Sequence, residues 1–329
     1  MSLVLRCVVY DVVEAELILQ ALTKNPIHFT SSGTTGAPKR YQTSWDQLVK
    51  GVSTCRGPKR QVLSLYSNTT YAGLSVLAFI RANEHTALIV NPRNMDQVRE
   101  AAGWATYLAL TPTQMRMLML QRISGPWEEI VLGGEAASQS LLTQLASMYS
   151  GVRIIQVYAS AEMGIQFVVH DGLAGIPKSL LKSRGYLDQG ELVLDRGSGL
   201  PPYHTGDYFE ETPDRLYFRG REGQIVNVGG VNVSLIKVRE VLEGVPGILA
   251  ARVIALPNPL TGMILKGEVV GDYDRVVMQT QLAQLPYEAR PRLITKVSEI
   301  PMTLAGKEAL CASSSPEPPE GSDSPSLTT

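Results

Sequence analysis

Residues 106–159 read TYLALTPTQMRMLMLQRISGPWEEIVLGGEAASQSLLTQLASMYSGVRIIQVYA, and this stretch decides the fold. The short apolar runs TYLALT, EEIVLGG and RIIQVYA read as strands. Between them, TPTQMRMLMLQR and SQSLLTQLASMY carry apolar residues at helical spacing. The same alternation extends toward the N-terminus. QVLSLY (61–66) and HTALIV (85–90) are strand-like, and SWDQLVKGVSTC (44–55) and NMDQVREAAG (94–103) are helix-like. Strands alternating with helices of this length predict crossover units and a largely parallel sheet, so the expected fold class is α/β. Thr43 or Ser44, Asn94, Thr111 and Ser138 are the predicted N-caps, because their side chains can accept from the free N–H groups of a first turn.

After Gly164 the pattern turns strand-rich and turn-rich through Arg219. From Gly220 a small α+β unit is expected, in the order QIVNV, SLIKVREVLEG, ILAARVIAL, MILKGEVV, YDRVVMQTQLAQL, RLITKV. The expected division is a large unit at 1–219 with mostly parallel sheets flanked by helices, a small mobile unit at 220–311, and a tail at 312–329. That tail, ASSSPEPPEGSDSPSLTT, has nothing to bury and is expected to be disordered. No internal repeat is present.

The chain has 329 residues, 44% hydrophobic and 19% charged, with formal net charge −1. Such a chain has material for a large core and is too apolar to be wholly disordered. The neutral balance argues against a nucleic-acid binder, which usually shows a basic excess. Cys7, Cys55 and Cys311 are far apart and form neither a metal pair nor a disulfide framework, which fits a reducing cytoplasm. No apolar run reaches the ~18–20 residues a membrane span needs. Arg6, Asp11, Glu14 and Glu16 interrupt the N-terminal apolar stretch, so it is not read as a signal peptide.

The segment richest in chemistry is Phe29-Thr30-Ser31-Ser32-Gly33-Thr34-Thr35-Gly36-Ala37-Pro38-Lys39. Glycines let a backbone approach a ligand, hydroxyls and N–H groups suit phosphate oxygens, and a lysine adds a point charge. Its spacing is not that of a Walker loop. Composition alone equally describes a flexible Ser/Thr/Gly turn between strand and helix.

The order of residues in this loop resembles the phosphate-contacting loop of the adenylate-forming superfamily of acyl-CoA synthetases, aryl-acid ligases, peptide-synthetase adenylation domains and luciferases. Further segments resemble that family in the same order. They are Gly133-Gly134-Glu135-Ala136, Tyr158-Ala159-Ser160-Ala161-Glu162, Thr205-Gly206-Asp207, Gly220-Arg221 with Ile225 and Gly229-Gly230-Val231-Asn232-Val233, and Pro301-Met302-Thr303-Leu304-Ala305-Gly306-Lys307.

The resemblance implies ATP-dependent activation of a small carboxylic acid to an acyl-adenylate, then transfer to coenzyme A or to the phosphopantetheine of an acyl carrier protein. Thr30, Ser31, Ser32, Thr34, Thr35 and Lys39, with Gly33 and Gly36, would hold the β- and γ-phosphates. Glu162 would bind Mg²⁺, a hard cation that takes oxygen ligands. Asp207 would accept from the ribose hydroxyls, Arg221 would contact ribose or phosphate, and Tyr158 would stack on adenine. Gly134, Glu135, Ala159 and Ser160 would complete the ATP site. Lys307 would reach the α-phosphate, and with Glu162 and Thr30 it makes up the implied catalytic set. Tyr66, Thr70, Tyr71 and Gly133 would line the acyl pocket, and Gly229 and Gly230 the thiol path. Ser67 to Thr70 make the pocket segment polar, which points to a hydroxylated or aromatic acid.

Four departures from the family pattern stand out. The resemblance starts 29 residues into the chain, so an N-terminally shortened form is expected, with a homodimer contact or partner subunit in place of the missing subdomain. Gly223 stands where the family has an acidic or lysine hinge residue, and Thr70 where it often has histidine. Leu310 replaces a basic residue. Competing readings are a binding subunit that keeps the fold without turnover, a ligase with an amine or hydroxyl acceptor, and an unrelated nucleotide hydrolase using only the Gly-rich loop.

Overall fold

The computed structural model describes residues 26–30, 40–52, 58–182, 184–197, 199–221, 223–302 and 307. Ser31 to Lys39, the side chain of Thr30, Thr303 to Gly306, Leu310, the three cysteines and the tail lie outside the described residues.

The described residues begin with an antiparallel pair, β1 (Ile27–Thr30) and β2 (Arg40–Thr43). So the Gly-rich loop joins two strands rather than a strand and a helix. Helix α1 (Trp45–Lys50) follows, capped by Ser44 rather than Thr43 in a reciprocal capping box with Gln47. Then come β3 (Gln61–Ser64), α2 (Tyr71–Ala82), β4 (Thr86–Ile89), α3 (Met95–Trp104), β5 (Tyr107–Leu110), α4 (Pro112–Leu120), β6 (Glu129–Gly133), α5 (Gln139–Met148), β7 (Arg153–Ser160) and β8 (Gly164–Val169). Asn94, Thr111 and Ser138 cap α3, α4 and α5 as predicted, and Thr70 caps α2.

These strands form one six-stranded sheet in the order β4-β3-β5-β6-β7-β8, parallel except at β7/β8. Alternate side chains go to opposite faces. Leu63, Leu65, Leu108, Leu110, Ile130 and Leu132 pack with Val98, Met115, Leu118, Leu141 and Leu145 of α3, α4 and α5. Val62, Tyr66, Tyr107 and Ala109 pack instead with Ile80 and Phe79 of α2. Burial on both faces explains why the strands read as near-continuous apolar runs. A fully buried leucine contributes roughly 1.5–3 kcal/mol, so this core dominates the stability of the unit.

The strand order reverses between β3 and β5. In open α/β sheets such a switch point opens a crevice at the carboxyl ends of the strands.

A second sheet is antiparallel throughout, in the order β10-β11-β12-β13-β9. It comprises β9 (Ile176–Pro177), β10 (Gly185–Asp188), β11 (Glu191–Leu194), β12 (Tyr203–Glu211) and β13 (Arg215–Arg221), with a short helix α6 (Lys178–Leu181) after β9. The expectation of mostly parallel sheets therefore holds for the first sheet alone. The reason is local: Gln189 and Gly190, both at positive φ, make a two-residue turn between β10 and β11, and such a turn can only return the chain antiparallel.

The remainder has its own core of Val228, Val238, Leu242, Val253, Leu265, Val269 and Met278 among others. It contains the hairpin β14 (Ile225–Val228) and β15 (Val231–Ser234), α7 (Leu235–Glu243), β16 (Ile248–Asn258), β17 (Gly262–Gly271), α8 (Arg275–Leu282) and β18 (Leu293–Lys296). The second arm of the hairpin was not expected from the sequence. No helix among the described residues is long and apolar enough to cross a membrane.

Candidate active site

The carboxyl ends of β6 and β7 meet the second sheet around a cleft. Behind the end of β6, the buried Tyr66 hydroxyl donates to Leu110 O at 2.6 Å and to Gly133 O at 3.1 Å. A Cβ on Gly133 would lie 3.1 Å from that hydroxyl, so only glycine fits without a shift. Gly134 follows at φ +81°, a left-handed conformation that favours glycine, and turns the chain out toward the cleft. Glu135 then accepts from Thr113 N, in the first turn of α4, at 3.0 Å.

The opposite wall centres on Asp207, which is 2% exposed. Asp207 and Arg221 are register partners on β12 and β13. Arg221 Nε donates to Asp207 Oδ1 at 2.5 Å, and the Tyr158 hydroxyl donates to Oδ2 at 2.6 Å. Burial first, and then Asp207, push the Tyr158 phenol well above its ordinary pKa, so it stays a donor. Its ring packs against Phe167 and Phe209, with centroids 5.8 and 6.1 Å away. Thr205 and Gly206 support the turn: Asp207 N donates to Thr205 Oγ1 and Gly206 N to Glu191.

Lys307 enters this cleft from the carboxyl-terminal side. A Cβ on Gly134 would meet its Cε at 3.4 Å. Burial lowers the pKa of its amine; Glu135 opposes the shift, Arg221 adds to it and Asp207 opposes it. Glu135, Tyr158, Asp207, Arg221 and Lys307 all line the cleft, together with Gly134 and Ala159. An ammonium, two guanidiniums and two carboxylates thus face a space walled by Val157, Phe209, Phe218 and Ile236. Such a site can hold a ligand that presents hydroxyls, an anion and an apolar ring together.

Other sequence-predicted residues lie elsewhere. Glu162 sits exposed at the tip of the β7–β8 hairpin, where its carboxylate accepts from the hydroxyls of Tyr41 and Tyr203. Ser160 accepts from Met163 N within that hairpin turn and does not line the cleft. One carboxylate with open solvent around it suits Mg²⁺, which keeps several waters and takes substrate phosphates as its other ligands. Among the described residues no group of three or more His, Cys, Asp or Glu is placed to hold a metal ion.

Tyr66, Thr70, Tyr71 and Gly133 do not line this cleft. The Tyr66 hydroxyl is committed to the Leu110 and Gly133 carbonyls. The Thr70 hydroxyl is occupied at the start of α2, where it donates to Ser67 O at 2.7 Å and accepts from Gly73 N. Tyr71 packs on Phe29 and beneath Gly164, where a Cβ would lie 2.9 Å from its hydroxyl. Gly229 and Gly230, at φ +58° and +90°, form the tight β14–β15 turn and also lie outside the cleft. Sequence reasoning missed Gln156, Phe209, Phe218, Gln224 and Arg239, which do line it. Phe209 was detectable, since it stands two residues after Asp207 on one strand and so shares its face.

A family profile described as AMP-binding enzyme matches residues 27–206. The chain belongs to this family. Among its relatives, a 3,4-dihydroxybenzoate–[aryl-carrier protein] ligase of Bacillus anthracis is 23% identical, over 84% of this chain and 70% of that protein. A mitochondrial acyl-coenzyme A synthetase, ACSM4, of Rattus norvegicus is 24% identical over 85% and 59%. Among solved structures, the anthranilate CoA ligase AuaEII in complex with anthranoyl-AMP superimposes with a TM-score of 0.69 at 17% identity, over 86% of this chain and 65% of that one. The chain shares the α/β fold of that structure and spans between 59% and 70% of the lengths of these three proteins.

Proposed function

We propose that this chain condenses a carboxylic acid with ATP to give an acyl-adenylate and pyrophosphate, and then passes the acyl group to a thiol. In the first step a carboxylate oxygen bonds to the α-phosphorus while the bond to pyrophosphate breaks. Charge spreads over phosphate oxygens, so positioning and electrostatic stabilisation carry the catalysis. The observation that carries this reading is Lys307, delivered by the carboxyl-terminal unit into the cleft lined by Glu135, Asp207 and Arg221.

In this reading the Lys307 ammonium faces the α-phosphate and acyl oxygens. Asp207, oriented by Arg221 and Tyr158, accepts from the ribose hydroxyls. The Tyr158 ring and the apolar walls hold the adenine. Glu162 holds Mg²⁺, which neutralises the phosphates when bound. Thr30 and the Ser31–Lys39 loop embrace the β- and γ-phosphates, with Gly33 and Gly36 allowing close approach. Residues 220–311 act as a small mobile unit that docks Lys307 for the first step and moves for the second, with Gly223, at φ +89°, suited to the hinge. The acceptor is coenzyme A or a carrier-protein phosphopantetheine; the names of the relatives print coenzyme A and an aryl-carrier protein. We place the protein in the cytoplasm.

Exchange of labelled pyrophosphate into ATP tests this directly. Exchange that depends on an added acid supports the adenylate. ATP cleavage to ADP, or no exchange across aromatic, short and medium acids, contradicts it.

A further inference from the structure

We propose that Arg116 and Glu243 form a latch that holds the carboxyl-terminal unit where Lys307 occupies the cleft, making both of them positioning residues for the first step. The inference rests on the function proposed above for Lys307. Arg116 lies on α4 and Glu243 at the end of α7, 127 residues apart in sequence. The contact is two-pronged. Arg116 Nε donates to Glu243 Oε1 at 3.0 Å and Nη2 donates to Oε2. The Ser138 hydroxyl donates to the same Oε2 at 3.1 Å and accepts from Arg116 Nη2 at 2.9 Å. Arg239, one turn earlier on α7, brings its Nε to 3.9 Å from Glu243 Oε1.

The pair is enclosed, with side-chain exposures of 11% and 5%. Neither helix needs it to be held in place. Met115 and Leu118 anchor α4 in the core of the first sheet, and Val238 and Leu242 anchor α7 in the core of the carboxyl-terminal unit. The pair therefore bridges two separately packed bodies. It is also close to the chemistry. Thr113, in the same first turns of α4, donates to Glu135, which lines the cleft with Lys307. A second cavity along this seam is lined by Arg116, Glu135, Arg239, Glu243, Ile300 and Met302. The chain that carries Lys307 thus crosses the seam five residues before it reaches the cleft.

A buried bidentate pair is costly to break on one side, because the remaining charge loses its counter-charge while still out of water. Undocking of the unit lets both ends reach solvent. With the pair intact, the docked arrangement is favoured; with one end neutralised, the undocked arrangement gains.

The test uses the full chain with E243Q, R116Q and the charge-swapped R116E/E243R. One readout is independent of turnover: the rate at which an amine-reactive acetylating reagent modifies Lys307, followed by peptide mass spectrometry. Tenfold or faster modification is expected in E243Q and R116Q, with a return toward the wild-type rate in the swap. A second readout splits the reaction. Pyrophosphate exchange should fall tenfold or more, while thiol transfer from a supplied acyl-adenylate should stay within threefold. Unchanged Lys307 modification in both single variants overturns the latch. Equal loss of both half-reactions overturns it too. Faster modification with no exchange in any protein, wild type included, supports the latch and contradicts only the proposed function. The paired single variants and the swap, each checked for a wild-type melt, keep the test decisive if one fails to fold.

Discussion

Asp207 is held from two sides: Tyr158 donates to one carboxylate oxygen at 2.6 Å and Arg221 to the other at 2.5 Å. The three residues come from β7, β12 and β13, so two sheets converge on one buried carboxylate. The orientation of that carboxylate is fixed before any ligand arrives, which is what a site that reads hydroxyls by geometry requires.

Asp207→Asn keeps the shape and removes the charge. Hydrogen bonds to charged groups are worth ~1.5–3 kcal/mol, so the KM for ATP should rise roughly 10- to 100-fold. Steady-state kinetics at a saturating acid concentration measures this. An unchanged KM would place the ribose elsewhere.

Under the proposed function, Lys307 sets the alkaline side of the pH profile. Burial lowers its pKa, and the first step uses the charged amine, so the rate should fall as pH rises through a value below the ordinary ~10.4. The sign for stability is opposite. The folded chain gives up this proton more readily than the unfolded chain, so stability should rise with pH between the lowered pKa and the ordinary one. Lys307→Arg should erase the alkaline limb even as it slows the reaction. Lys307→Met should erase the rise in melting temperature. A profile with the same limb in Lys307→Arg would assign it to another group.

Glu162 is clamped by Tyr41 and Tyr203. Partners that orient a metal-binding carboxylate typically matter 10- to 100-fold for affinity. Tyr41→Phe and Tyr203→Phe should each weaken Mg²⁺ use by roughly 10-fold, with a wild-type melt. Mn²⁺ titration read by electron paramagnetic resonance gives the affinity without turnover. Unaltered Mn²⁺ binding in both variants would remove Glu162 from the metal site.

The segment at Thr70 and Gly73 should behave as structure. Thr70→Ala loses a cap and should cost about 1 kcal/mol. A Cβ on Gly73 would stand 2.2 Å from Ser67 O, so Gly73→Ala should cost ~1–3 kcal/mol from overpacking, read by denaturant melts. Neither change should reorder the preference among acids. A reordered preference would return this segment to the acyl pocket.

Much of the fold is legible in the chain itself. The near-continuous apolar runs at 61–66 and 106–111 announce strands buried on both faces, and Ser44, Asn94, Thr111 and Ser138 mark helix starts by local chemistry. The antiparallel second sheet is less legible, because its direction depends on the Gln189-Gly190 turn rather than on the strands. The site divides in the same way. Tyr158, Asp207, Arg221 and Lys307 stand in ordered motifs and come together in the cleft. Thr70 and Tyr71 stand beside such a motif, yet capping and packing on Phe29 claim them. Arg116 and Glu243 have no sequence signal, since a contact across 127 residues arises only when the two bodies dock.

Pyrophosphate release from MgATP, measured against a panel of aromatic, short and medium acids with Lys307→Ala alongside, tests the central claim most directly. The account predicts release that depends on an added acid and is lost in Lys307→Ala. Acid-dependent release that persists in Lys307→Ala would contradict it.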